Sequence, residues 1–151
     1  YLQTVWQAAY AGINRANTVI ARVPTIPMDT VRRRQAVGEA KFLRAVHYYW
    51  LAGLFGGVPL KLDETQAIDE PPMGRATAVE TWAQVTKDLG EAAAALPASW
   101  PASEFGRATR GAALTLLGKA YLQSAAMVPE LAGNRQRALE TFRQVLGLGY
   151  Q

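Results

Sequence analysis

The sequence predicts an all-α protein of about five helices. Three observations carry that prediction. Apolar residues recur at three- and four-residue intervals in five separate stretches, the period of a helix that buries one face. Each stretch is bounded by proline, glycine or a good N-capping residue. No stretch alternates apolar and polar residues in the two-residue period of a half-buried strand. The chain has 151 residues, half of them hydrophobic, which is enough for one core.

The first helix is expected over 2–22, with Trp6, Tyr10, Ile13, Asn17 and Ile20 on one face. Asn17 sits among apolar neighbours, so its amide needs a partner inside the core. Pro24 and Pro27 end the helix. The second helix is expected over 30–55 with Asp29 as N-cap. Ala36, Ala40, Leu43, His47, Trp50 and Leu54 form one stripe on it, and Phe42, Val46, Tyr49 and Gly53 a second. A helix apolar over that much of its girth packs on more than one side. Gly56 and Gly57 stop it and Pro59 prevents its continuation.

A connection over 58–75 follows, longer than an ordinary helix–helix turn. The third helix, 77–96, opens with the capping box Thr77-Ala78-Val79-Glu80 and buries Val79, Trp82, Thr86, Leu89, Ala93 and Leu96 before Pro97. After a loop over 98–107, the fourth helix runs over 109–126 with Thr109 as N-cap. Its Gly111, Ala112, Ala113, Gly118 and Ala120 are small enough for a neighbour to approach closely. The fifth runs over 134–146, with Ala138, Phe142 and Val145 inward and Gly147 or Gly149 as its C-cap. Uneven helical hairpins with long irregular loops suggest a degenerate α-solenoid of the tetratricopeptide type, lacking the strict period of about 34 residues.

Composition narrows the chemistry. The absence of cysteine excludes disulfides, thiol catalysis and cysteine-held metals. A single histidine, His47, excludes a His-rich metal site, and no cofactor motif is present. His47 lies beside Tyr48, Tyr49 and Trp50 on an apolar face, so it reads as a hydrogen-bonded core or interface residue and not a base. Asp63/Glu64 and Asp69/Glu70 read as solvated loop carboxylates, because catalytic pairs need contrasting environments. Arg32, Arg33 and Arg34 read as a solvated first turn, too short a run for a nucleic-acid patch. Net charge is +4. Glu39 is expected in a structural ion pair. Arg44, five residues on, is offset round the helix and pairs elsewhere. Trp50 and Trp82 lie on core stripes and are expected to be packing. Trp6, near the N-terminus, and Trp100, in an exposed loop, are the two rings left to stack on a sugar. The chain opens with Tyr1-Leu2-Gln3, inside an expected helix, so an N-terminus cut from a longer chain is expected, and no apolar run reaches the roughly 20 residues that span a bilayer.

Several strings resemble the SusD/RagB family of outer-membrane nutrient-binding lipoproteins. They are Trp6-x3-Tyr10-x2-Ile13-x2-Ala16-Asn17-x2-Ile20, then Gly38-Glu39-Ala40-Lys41-Phe42-Leu43-Arg44-Ala45, then Phe55-Gly56-Gly57-Val58-Pro59-Leu60. Asp88-Leu89-x2-Ala92 with Leu96-Pro97, Gly106-Arg107-Ala108-Thr109-Arg110-Gly111-Ala112-Ala113 and Gly147-Leu148-Gly149-Tyr150 continue the series. Asn17, Glu39, Arg44, Gly56, Arg107 and Thr109 are the structural signature within them. The resemblance implies an internal piece of a protein about three times as long. It implies a non-catalytic binder, lipid-anchored through a cysteine outside this segment. It places that binder on the outer face of the outer membrane, passing oligosaccharide or other nutrient to a SusC-like TonB-dependent transporter. The competing reading is a generic tetratricopeptide-like scaffold for a protein partner inside the cell. A nucleic-acid binder is a weaker third, and no DNA binding is expected at physiological ionic strength.

A last hairpin without its second helix leaves an apolar face open. The isolated 151-residue chain is therefore expected to self-associate on a sizing column, and a monodisperse monomer would count against this.

Overall fold

The computed structural model describes residues 2–66 and 73–149. Five helices follow one another: α1 (Leu2–Arg22), α2 (Thr30–Phe55), α3 (Ala78–Ala95), α4 (Arg110–Met127) and α5 (Asn134–Leu146). Short 3-10 turns sit at Val23–Thr25, Ala102–Glu104 and Pro129–Leu131, and there is no strand among the described residues. The architecture is the all-α, tetratricopeptide-like stack of helical hairpins.

Local chemistry sets the ends. The Asp29 carboxylate accepts from the Arg32 amide at 2.9 Å, and the Thr109 hydroxyl accepts from the Ala112 amide at 3.2 Å. Thr77 and Glu80 form the full capping box. Gly56 closes α2 at φ +72°, the left-handed region that a side chain disfavours. A Cβ on Gly57 would lie 2.1 Å from the Ala76 carbonyl, so the chain returning to α3 presses directly on this turn.

Each helix packs on the one before it and the one after it. Small residues let the pairs close: a Cβ on Gly118 would meet Phe142 Cε1 at 2.6 Å. Ile13, Tyr48, Leu51, Val58, Trp82, Val85, Leu89 and Leu96 are the large apolar members of the core.

An ion pair lies inside that core. The Arg44 guanidinium donates from Nε and Nη2 to the two Asp88 carboxylate oxygens, both at 2.8 Å, linking α2 to α3. Its Nη1 donates to Asn17 Oδ1 of α1 at 2.8 Å and to the Leu62 carbonyl at 3.1 Å. Arg44 is 6% exposed and Asp88 0%. Two buried charges are tolerated because the geometry is bidentate and the remaining donors are used.

The α2 stripes are the chief correction to the sequence reading. Leu43, Trp50 and Leu54 are 53%, 60% and 55% exposed. The buried face is instead Gly38, Ala40, Arg44, Ala45, Tyr48, Leu51 and Ala52. Paired Arg44 and hydrogen-bonded Tyr48 belong inside, which rotates the helix and turns Trp50 out. Trp82 is buried as expected, whereas Val79 is exposed. His47 is half-buried and forms no hydrogen bond among the described residues. Its ring lies over Gly12 of α1, where a Cβ would come within 2.1 Å of Nε2.

Removing one member of the core pair strands the other charge. Arg44→Ala and Asp88→Ala are each expected to lower unfolding free energy by about 3–5 kcal/mol in urea titrations. The Arg44→Met/Asp88→Leu double variant is expected to lose less than either; a larger loss would refute this account.

Burial holds the His47 imidazole below its ordinary pKa. The unfolded chain therefore binds that proton more readily than the native one. The contribution is complete above about pH 6.5 and declines as pH falls toward the lowered native value. Denaturation curves between about pH 7 and 5 are expected to show a shallower decline for His47→Gln, and an unchanged slope would exclude this role.

Candidate functional site

The segment 58–66 crosses α1 and α2, and their side chains hold it by its backbone. Tyr10 Oη donates to the Pro59 carbonyl at 2.7 Å. Tyr48 Oη donates to the Lys61 carbonyl at 2.9 Å. Asn17 Nδ2 donates to the carbonyls of Lys61 and Asp63 at 3.1 and 2.9 Å. The Thr65 amide donates to Asn14 Oδ1 at 2.9 Å. Burial pushes the Tyr10 phenol up to about 12 and raises that of Tyr48 further, so both remain donors at neutral pH. At the end of α2, Arg75 donates to the Gly57 and Phe55 carbonyls, both at 2.5 Å.

This tethering leaves a cleft of about 600 Å³ lined by Trp6, Tyr10, Pro59, Lys61, Asp63, Glu64, Gln66 and Met73. Trp6 is half-buried and packs on Tyr10 (centroids 5.0 Å apart) and edge-on against Phe55 (5.1 Å). Glu64 is held by Arg22, while Asp63 points an exposed carboxylate outward. The wall is aromatic on one side and carries a cation, carboxylates and an amide on the other, the pattern of a site that orients a polar ligand against an apolar face.

The other candidates fall elsewhere. Trp100 is half-buried, not exposed. Its indole N–H donates to the Ala108 carbonyl at 2.7 Å, and the Arg107 guanidinium lies 3.9 Å from its ring centroid. Arg107 is at the same time bidentate to Glu39 at 2.9 and 2.5 Å and bound to Glu104 at 2.8 Å. Trp100 is thus built into a clasp that ties the α3–α4 loop to α2. Gly56 and Thr109 serve as helix ends, and Asn17 and Arg44 as core tethers. His47 lines a separate cavity between α1 and α2, with Arg15, Glu39 and Leu43. Asp69 and Glu70 lie outside the described residues. No group of His, Asp and Glu among the described residues is arranged to hold a metal ion.

Sequence reasoning chose Trp6 but missed Tyr10 and Lys61 as its companions in the cleft. No local signal reveals them, because Tyr10 meets the Pro59 carbonyl across forty-nine residues of sequence.

A protein-family model described as starch-binding and associating with the outer membrane matches residues 1–122. A SusD-like protein of Bacteroides ovatus is 32% identical over 126 residues, which is 80% of this chain and 22% of that protein. The crystal structure of a SusD-like protein from Bacteroides fragilis superposes with a TM-score of 0.88 at 28% identity, over 99% of this chain and 28% of that one. A laminarin-binding SusD-like protein superposes with a TM-score of 0.74 at 33% identity, over 86% of this chain and 30% of that one. This chain therefore spans less than a third of the length of each of these relatives. With the match to the family model covering most of its length, the chain belongs to the SusD/RagB family.

Proposed function

We propose that this chain is the helical segment of a longer surface protein that captures glycans without transforming them. Delivery to a SusC-like TonB-dependent transporter in the outer membrane belongs to the same reading. The observation that carries it is the family match over residues 1–122. The similarity to a laminarin-binding protein supports a saccharide as the ligand class. The cleft beside Trp6 suits that chemistry. Sugar rings present apolar C–H faces to aromatic side chains and hydroxyls to charged and amide groups. Trp6 is the ring we assign to ligand contact in this segment, with Lys61, Asp63 and Gln66 as its polar complement. Such a site binds by shape and hydrogen bonding alone, which accounts for capture and asks for no base, nucleophile or metal.

Electrophoresis of the full-length protein in gels containing laminarin, starch or xylan tests this. Retardation by at least one of these glycans is expected. Trp6→Ala is expected to weaken it roughly two- to tenfold through loss of one aromatic contact. Unretarded migration in every gel would remove the reading and favour a protein-binding scaffold.

A further inference from the structure

The outer sides of the helices differ. α3 turns Glu80 and Lys87 outward, and α5 turns Arg135, Arg137, Glu140 and Arg143 outward, as solvated faces do. α2 does not. Leu43, Trp50 and Leu54 are more than half exposed at positions i, i+7 and i+11, with half-buried His47 between them. That spacing places them on one face over about 16 Å, at ~1.5 Å per residue. From Ala45 to Leu60 the chain carries no Asp, Glu, Lys or Arg.

The face has relief as well as apolarity. Leu43 borders two open grooves. One, of about 460 Å³, runs against α1 past Gly12, Ala16 and Val19. The other, of about 420 Å³, runs toward α4 past Phe42, Gly106 and Ala112. α4 lies alongside: Ala112 flanks the Leu43 end, and at the Trp50 end a Cβ on Gly53 would come within 2.8 Å of Gln123 Nε2. At the rim, Glu39 borders both grooves and is already bidentate to Arg107.

Three large apolar side chains on one face, with grooves beside them, exceed the single apolar residues that any surface scatters. The missing charge says what kind of surface it is. Contacts that open and close are about as polar as the rest of a protein, whereas permanent ones resemble a core cut in half. The occupant of this face is therefore one that is always present. The relatives supply one: this chain matches 22% of the Bacteroides ovatus protein and 28% of the Bacteroides fragilis structure, so more than two thirds of each lies outside it.

We propose that the α2 face around Leu43, Trp50 and Leu54 is an internal docking surface, covered by uncharged side chains from the remaining part of the parent chain. It rests on the reading of this chain as a segment of a longer protein and adds which face of the stack is closed.

Hydroxyl-radical footprinting of the full-length protein, read at each residue by mass spectrometry, tests it. Trp82, buried within the stack, is the reference for a closed indole. In the purified monomer Trp50 is expected to oxidise as slowly as Trp82, within about threefold. Faster oxidation overturns the proposal, even where adding the transporter then slows it. Protection that disappears when a dimer is diluted to monomer also overturns it, because a second copy would then be the cover. Trp50→Glu is expected to lower the melting temperature of the full-length protein by about 5 °C or more, since it puts an unpartnered carboxylate into that contact. Unchanged melting overturns the proposal as well. All of these outcomes leave glycan capture standing, which gel retardation reads separately. An encoded protein of only these 151 residues would remove the reading as a segment, and this surface with it.

Discussion

The Arg44–Asp88 pair is the constraint on which the rest of this structure depends. One guanidinium fixes the spacing of α2 and α3 through Asp88, of α1 and α2 through Asn17, and the position of the connecting segment through the Leu62 carbonyl. A charge in a core is stable only when each of its donors is satisfied, so these positions are set together. The same logic makes Asn17 bifunctional. Its oxygen accepts from Arg44 while its nitrogen donates to the carbonyls of Lys61 and Asp63. The cleft beside Trp6 thus has its polar wall placed by the core, at a distance of one hydrogen bond.

A second polar assembly repeats the arrangement at lower burial. Arg107 is sandwiched between the Trp100 ring, Glu39 and Glu104, and Arg32 closes the group from the start of α2. Surface ion pairs singly contribute little, but a network ordered by a stacked aromatic ring holds a loop at modest entropic cost. It also spends carboxylates. Of the acidic side chains on the helices and their loops, Glu39, Glu64, Asp88, Glu91 and Glu104 are taken by arginine or lysine. The net positive charge of the sequence is therefore carried by cations such as Arg34 that have no such partner.

How far the sequence was legible follows from which interactions are local. Caps and stops depend on neighbours within four residues, so Asp29, Thr77, Gly56 and Thr109 declared the helix ends. Asn17 declared itself as a polar residue on an apolar face. The face of α2 did not, because burial of Arg44 depends on Asp88, forty-four residues away. Without that partner, a hydrophobic pattern sends the arginine outward and Trp50 inward, and the whole helix is read about a third of a turn off. Trp100 misled for a similar reason: its partners Arg107 and Ala108 are near, but the Glu39 that orients Arg107 is not. Arg33 was read as solvated because nothing local shows that its guanidinium turns back onto Ile26 and Met28.

Capture at a surface rewards a site that is already in place. A ligand that must order a loop gives up part of its binding free energy to that ordering. The segment 58–66 would be such a loop if left to itself, because it has no regular secondary structure. Here five side chains on α1 and α2 meet its backbone: Tyr10, Asn17, Arg44 and Tyr48 donate to its carbonyls, and Asn14 accepts from the Thr65 amide. The two tyrosines and the asparagine are held in turn by helix packing around Ile13, Leu51 and Leu89. The stacked hairpins thus hold the connection after Pro59 as a wall facing the aromatic ring of Trp6, and under the proposed reading a captured ligand would meet that wall already in place.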